Sequence, residues 1–140
     1  MSLRFNVRVY GLCINPENQV LLSKEHYRDF HFTKFPGGGM EYGEGTLEAL
    51  KREFREEIGI EPTIVNHFYT TDFFQKSVVD ETQIISIYYL ITVPDFSKIP
   101  KKSDTGTLFF ARIDETLLER LNLPIDKVVG KMLLQSIGVQ

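Results

Sequence analysis

Leu47, Leu50, Phe54 and Ile58 recur at three- and four-residue steps, so the stretch Leu47 to Ile58 can bury one continuous stripe only as a helix. Thr46 reads as its N-cap and Gly59 as its stop. On a helix, Glu53, Glu56 and Glu57 fall within one arc of roughly 100° beside that stripe, while Glu48, Lys51 and Arg55 turn to solvent. Three carboxylates at the edge of a core repel one another and need compensation. An oxygen-rich cluster of this kind suits a hard divalent cation, Mg²⁺ or Mn²⁺, which accepts carboxylates and still retains waters or substrate phosphates.

The charge balance sharpens this. The 140 residues carry 19 acids and 16 bases, a net charge of −3. Between Gly38 and Ile60 lie Glu41, Glu44, Glu48, Glu53, Glu56 and Glu57 against Lys51, Arg52 and Arg55, so the whole excess sits in that segment. No basic run exists to bind nucleic acid through its phosphates. Gly37, Gly38, Gly39, Gly43 and Gly45, half of the chain's 10 glycines, crowd into the same region. Without Cβ atoms, Gly37 to Gly39 let the backbone turn sharply and approach a metal-bridged phosphate closely.

Around this segment the chain reads as one domain over residues 1–140. Phe5, Val7, Val9, Gly11 and Cys13 alternate with Arg4, Asn6, Arg8, Tyr10 and Leu12, the period of a strand. The turn-forming Asn15 to Asn18 leads into a return strand at Val20 to Leu22, so the two strands are expected to pair as a hairpin. His26 to Phe35 reads as a loop entering a short strand, and Pro36 to Gly39 ends regular structure. Thr63 to Phe74, Gln83 to Val93 and Thr107 to Ile113 are strands by composition, with a Lys- and Pro-rich loop from Pro94 to Gly106. Asp114 to Leu121 and Ile125 to Ile137 read as helices. This order predicts an α/β (α+β) layered domain with a mixed β-sheet. The longest apolar runs fall short of the roughly 20 residues a membrane helix needs, and Met1 to Arg4 lacks a signal-peptide core. A lone cysteine, Cys13, points to a reducing, cytoplasmic setting.

Gly38, Glu44, Arg52, Glu53, Phe54, Glu56, Glu57, Gly59 and Ile60 stand at the spacing Gly-x5-Glu-x7-Arg-Glu-U-x-Glu-Glu-x-Gly-U, where U is bulky and aliphatic. In this the chain resembles the Nudix hydrolases; the single departure is Phe54 at a position usually aliphatic. The resemblance implies an αβα sandwich with a mixed β-sheet between helices. It also implies Mg²⁺- or Mn²⁺-dependent hydrolysis of a diphosphate linkage in a nucleoside diphosphate joined to another moiety, by attack of water on phosphorus. Carried onto these residues, Glu56 and Glu57 would be metal ligands and Glu53 a further ligand or the base. Arg52 would hold the carboxylates, Glu44 would buttress the loop, Gly59 would close the box, and the Gly37 or Gly38 carbonyl would complete the metal shell. Some relatives use a distant acid as base, for which Asp104 is the candidate, followed by Asp80 and Glu81.

Outside the box, Gly37, Gly38, Gly39, Lys24 and Arg8 are candidate contacts to substrate, although solvent-facing charge is the plainer reading of Lys24 and Arg8. Phe30, Phe32, Phe35 and Tyr42 flank the site and supply rings that could stack a base or simply pack. His26, His31 and His67 lack metal-ligand spacing. The expected partner is a small nucleotide-type diphosphate, with no nucleic acid or membrane, and a homodimer is possible. Two other functions compete. A ligand-sensing Nudix module without catalysis usually pairs an eroded box or an appended DNA-binding domain, and neither stands in this sequence. An isoprenoid diphosphate isomerase needs a catalytic Cys and Glu pair, and Cys13 has no evident partner.

Overall fold

The computed structural model describes residues 4–137. Met1 to Leu3, part of the stretch read for a signal peptide, lie outside the described residues. Among the described residues seven strands and three helices follow one another: β1 (Phe5–Cys13), β2 (Gln19–Tyr27), β3 (Phe30–Lys34), β4 (Gly37–Gly39), α1 (Thr46–Glu57), β5 (Thr63–Thr70), β6 (Gln83–Thr92), β7 (Gly106–Arg112), α2 (Glu115–Arg120) and α3 (Pro124–Ile137). A 3₁₀ turn at Phe96–Lys98 interrupts the long loop.

The strands form two sheets, a mixed one in the order β4-β1-β6-β5 and an antiparallel one in the order β3-β2-β7. The expected mixed sheet between helices is present, but β1 and β2 do not make the expected hairpin. They part into different sheets after a single bridge, Ile14 to Val20. β1 instead runs parallel to β6 over its whole length, from Phe5 opposite Gln83 to Cys13 opposite Ile91. The reason is burial on both faces. Val9 and Cys13 face α1 with Leu50, Phe54 and Ile58, whereas Tyr10 and Leu12 face α2 and α3 with Leu117, Leu121, Val129 and Leu133. A strand covered on both sides needs a partner that is also central, and β6 is that partner.

Other boundaries moved for local reasons. His26 to Phe35 is mostly strand, because β2 and β3 close through a two-residue turn with Arg28 in the left-handed region. The glycines of 37–39 do not end regular structure; they pair with Arg8 to Tyr10 as an edge strand. β5 stops at Thr70 after two bulges, short of Phe74. Gly45, not Thr46, caps α1: its backbone N–H donates to Glu48 at 2.7 Å, and the Thr46 hydroxyl meets the Tyr89 hydroxyl at 2.8 Å. Leu47 is exposed, and Ala49 takes its place in the buried stripe.

The aromatic departure at Phe54 has its explanation in β1. A Cβ at Gly11 would lie 2.9 Å from the Phe54 ring, so the absent side chain of Gly11 is the space that the ring fills. Gly11→Ala is therefore expected to overpack the core and destabilise by about 1–3 kcal/mol. Combined with Phe54→Leu, it should cost less than the sum of the two single changes. Urea unfolding of the four proteins checks this, and strict additivity would overturn the packing argument.

Candidate active site

The site is assembled where α1 crosses the glycine strand β4. Arg52 organises it. Its Nε donates to Glu44 Oε2 (2.5 Å), Nη2 to Glu44 Oε1 (3.0 Å) and to the Gly39 carbonyl (2.9 Å), and Nη1 to Glu53 and Glu56 (both 3.2 Å). All five guanidinium N–H groups thus have acceptors. Glu44 also accepts from the Glu41 backbone N–H at 2.8 Å, which ties the loop before α1 to the helix. The hydrogen bond from Arg52 holds the Glu44 carboxyl below its usual range, and the same contact holds Arg52 well above its own.

The three box glutamates take different positions. Glu53 is nearly buried and packs on Gly38, where a Cβ would sit 2.6 Å from its carboxylate oxygen. Gly38 is thus glycine because a carboxylate occupies its side-chain space. Glu57, one helical turn on, is partly buried beside Glu53; Glu56 is 60% exposed at the rim. Burial pushes the Glu57 carboxyl up to about 7; Lys34 opposes this, and the charges of Glu53 and Glu25 add to it. Among the described residues no three His, Cys, Asp or Glu side chains already stand at metal-ligating separation. The donor chemistry nevertheless fits a hard cation: Glu53 and Glu57 are crowded carboxylates, Glu53 lies against Gly38 of β4, and every candidate donor is an oxygen.

A pocket of about 430 Å³ lies on the far side of Arg8 from the box, and none of the box glutamates lines it. Arg8, Tyr10, Glu25 and Lys34 line it on the side of β4, with Phe30, Phe32 and the segment Gln75 to Asp80 around its mouth. Arg8 donates from Nε to the Tyr10 hydroxyl at 2.6 Å, and its Nη1 reaches within 3.7 Å of the Cβ position of Gly39, so its guanidinium borders both pocket and box. Of the other residues singled out in the sequence, Phe35 is core and Tyr42 fully exposed. Lys24 is exposed and lies outside the pocket. Asp104 is exposed in the turn before β7, one residue from the pocket-lining Thr105, with no described contact to the box. Asp80 lines the pocket, and Glu81 pairs with Lys76 at 3.1 Å. Cys13 is fully buried, and burial pushes its thiol up to about 12.

Two groups escaped the sequence reading. Lys34 is buried, with its ammonium donating to the Phe35 and Gly37 carbonyls (3.2 and 3.1 Å) and pairing with Glu25 at 3.3 Å. Nothing local marks a lysine as buried. Asp126 is fully buried at the pocket, where Oδ1 accepts from the Tyr88 hydroxyl at 2.6 Å and Oδ2 has no partner. Its spacing to Val129 and Leu133 places it on the inner face of α3, a signal that could have found it.

Fold and box together define a Nudix-type domain, and comparison with known proteins agrees: the NUDIX domain family matches residues 4–131. The chain belongs to the Nudix family. It is 33% identical over 78 residues to an RNA pyrophosphohydrolase of Francisella tularensis subsp. mediasiatica, a match covering 55% of this chain and 48% of that protein. The chain thus spans about half the length of that relative. Among solved structures it resembles the MutT protein of Methanosarcina mazei Go1, with a TM-score of 0.76 at 20% identity over 97% of both chains. It also resembles the mutator MutT protein of Bacillus halodurans, with a TM-score of 0.61 at 28% identity over 91% of this chain and 82% of that one.

Asp126 generates a prediction about pH. Burial pushes its carboxyl up from 3.8 to about 6, against the opposing bond from Tyr88. A carboxyl raised on folding favours the native state below its unfolded pKa and loses that contribution as pH rises through the folded value. Between about pH 4 and 6 the protein should therefore lose about 2–3 kcal/mol of stability that Asp126→Asn retains. Parallel urea titrations of both proteins across this window measure the difference, and superimposable pH profiles would sink the assignment.

Proposed function

We propose that this chain is a single Nudix hydrolase domain over residues 1–140. In this reading it is a Mg²⁺- or Mn²⁺-dependent pyrophosphohydrolase that cleaves a diphosphate linkage in a small nucleotide-type compound by attack of water on phosphorus. The observation that carries it is the packing of Glu53 against Gly38 of the glycine strand, bonded to Arg52 and with Glu57 beside it, while the Arg8 guanidinium connects this strand to a ring-lined pocket. Glu53, Glu57 and the Gly37 carbonyl would hold the cation, with Glu56 joining from the rim. A bound divalent ion supplies charge neutralisation on the phosphate oxygens. Glu53 or, outside the box, Asp104 takes the role of base. Gly59 ends α1 at a positive φ of 83°, which keeps Glu57 at the helix terminus.

The pocket supports the nucleoside end of the substrate. Phe30 and Phe32 present rings, and the buried Asp126 carboxylate lines the same pocket. Arg8 would meet the phosphates between pocket and box. No helix among the described residues is long and apolar enough to cross a membrane. The setting we propose is the cytoplasm, without nucleic acid or membrane partners. The isomerase alternative needs a reactive cysteine, and Cys13 is packed in the core with its thiol pushed up to about 12.

Glu57→Gln should abolish Mg²⁺-dependent phosphate release from a panel of nucleoside triphosphates, nucleotide sugars, dinucleoside polyphosphates and ADP-ribose while the protein keeps its fold by circular dichroism. Undiminished turnover in that variant would refute the hydrolase reading. Arg8→Met removes a charged hydrogen-bond donor worth about 1.5–3 kcal/mol, so KM for the best substrate should rise roughly 10- to 100-fold. A KM equal to that of the unaltered protein would remove Arg8 from the binding site.

A further inference from the structure

Lys34 joins the two sheets at the loop side of the site. It ends β3 in one sheet, and three residues later the chain has crossed to β4 in the other. The ammonium has three N–H donors, and three acceptors surround it: the Phe35 carbonyl, the Gly37 carbonyl and Glu25 of β2. It also lies 5.3 Å from the centre of the Tyr10 ring. Its side chain is 4% exposed, and that of Glu25 is 10%. With two N–H groups bonded to backbone carbonyls and the Glu25 carboxylate at ion-pair distance, the work of Lys34 is on the protein itself. Gly37 is pinned from the other side as well, because a Cβ there would collide with the Val9 carbonyl and the Tyr10 backbone. The strap Phe35 to Gly37 is therefore held between β1 and a buried cation, immediately before the glycine that backs Glu53.

We propose that Lys34 is a positioning residue of the hydrolytic site: its buried ammonium, paired with Glu25, fixes the Gly37 carbonyl and so sets the loop side of the cation site opposite Glu53 and Glu57. This rests on the hydrolytic reading above. Removing Lys34 alone would strand the Glu25 carboxylate in a buried place. The informative variant is Lys34→Met with Glu25→Gln, which removes one charge of each sign and leaves the net charge at the site unchanged. Any weakening of cation binding then reports geometry rather than field.

Mn²⁺ binding without substrate, read by electron paramagnetic resonance, is the primary measurement, with kcat and KM beside it. The double variant should stay folded, bind Mn²⁺ at least 10-fold more weakly and lose kcat by at least 10-fold, with KM changed less than threefold. Glu25→Gln alone keeps the ammonium and both carbonyl bonds, so it should bind Mn²⁺ at least fivefold more tightly than the double variant. A folded double variant with unchanged Mn²⁺ affinity and kcat would overturn the proposal, as would an equal loss in Glu25→Gln. Failure of the hydrolytic reading is separable, because then Glu57→Gln would leave turnover and Mn²⁺ binding of the otherwise unaltered protein intact.

Discussion

The fork of Arg52 is the interaction on which the site depends. A planar guanidinium offers five donors in fixed directions, and here every one is used: two reach Glu44 on the loop, one reaches the Gly39 carbonyl on the edge strand, and two reach Glu53 and Glu56 on its own helix. Loop, strand and helix are thereby held to one geometry by a single side chain. A lysine could carry the charge but not the directions. The arrangement also offsets part of the repulsion among carboxylates that α1 places at the core's edge.

What the fork does not reach is handled by packing. Glu53 is wedged onto Gly38, and Phe54, one residue on, is wedged onto Gly11 of β1. Successive residues of α1 thus use the missing side chains of two different strands. This sets the depth at which the helix lies on the mixed sheet, and so the depth of Glu53 and Glu57 relative to the strand carbonyls. Burial then raises the proton affinity of Glu57, a condition that a divalent cation would reverse by favouring the ionised carboxylate.

The box and its helix were legible because they are local: the apolar period, the carboxylate arc and the Arg–Glu spacing all fall within a few turns of one element. The strands were legible as elements for the same reason, through alternation and β-branched composition. Their pairing was not. Asn15 to Asn18 is a competent turn, and two strands joined by a turn are ordinarily a hairpin; here burial of both faces of β1 favoured β6 as its neighbour. The glycines of β4 illustrate the same limit. Flexibility suggested a free loop, whereas their smallness serves close contact with Glu53 and β1.

The sequence by itself determined the family, the acidic helix and the location of the net charge, since each depends on spacing along the chain. Tertiary structure alone decided which polar groups are buried. Lys34 meets Glu25 across two strands, Asp126 meets Tyr88 across 38 residues, and Arg8 reaches Gly39 through strand register. Burial of a charge is a property of its surroundings rather than of its residue type, so a lysine or aspartate that shapes a site looks in sequence like any solvated one.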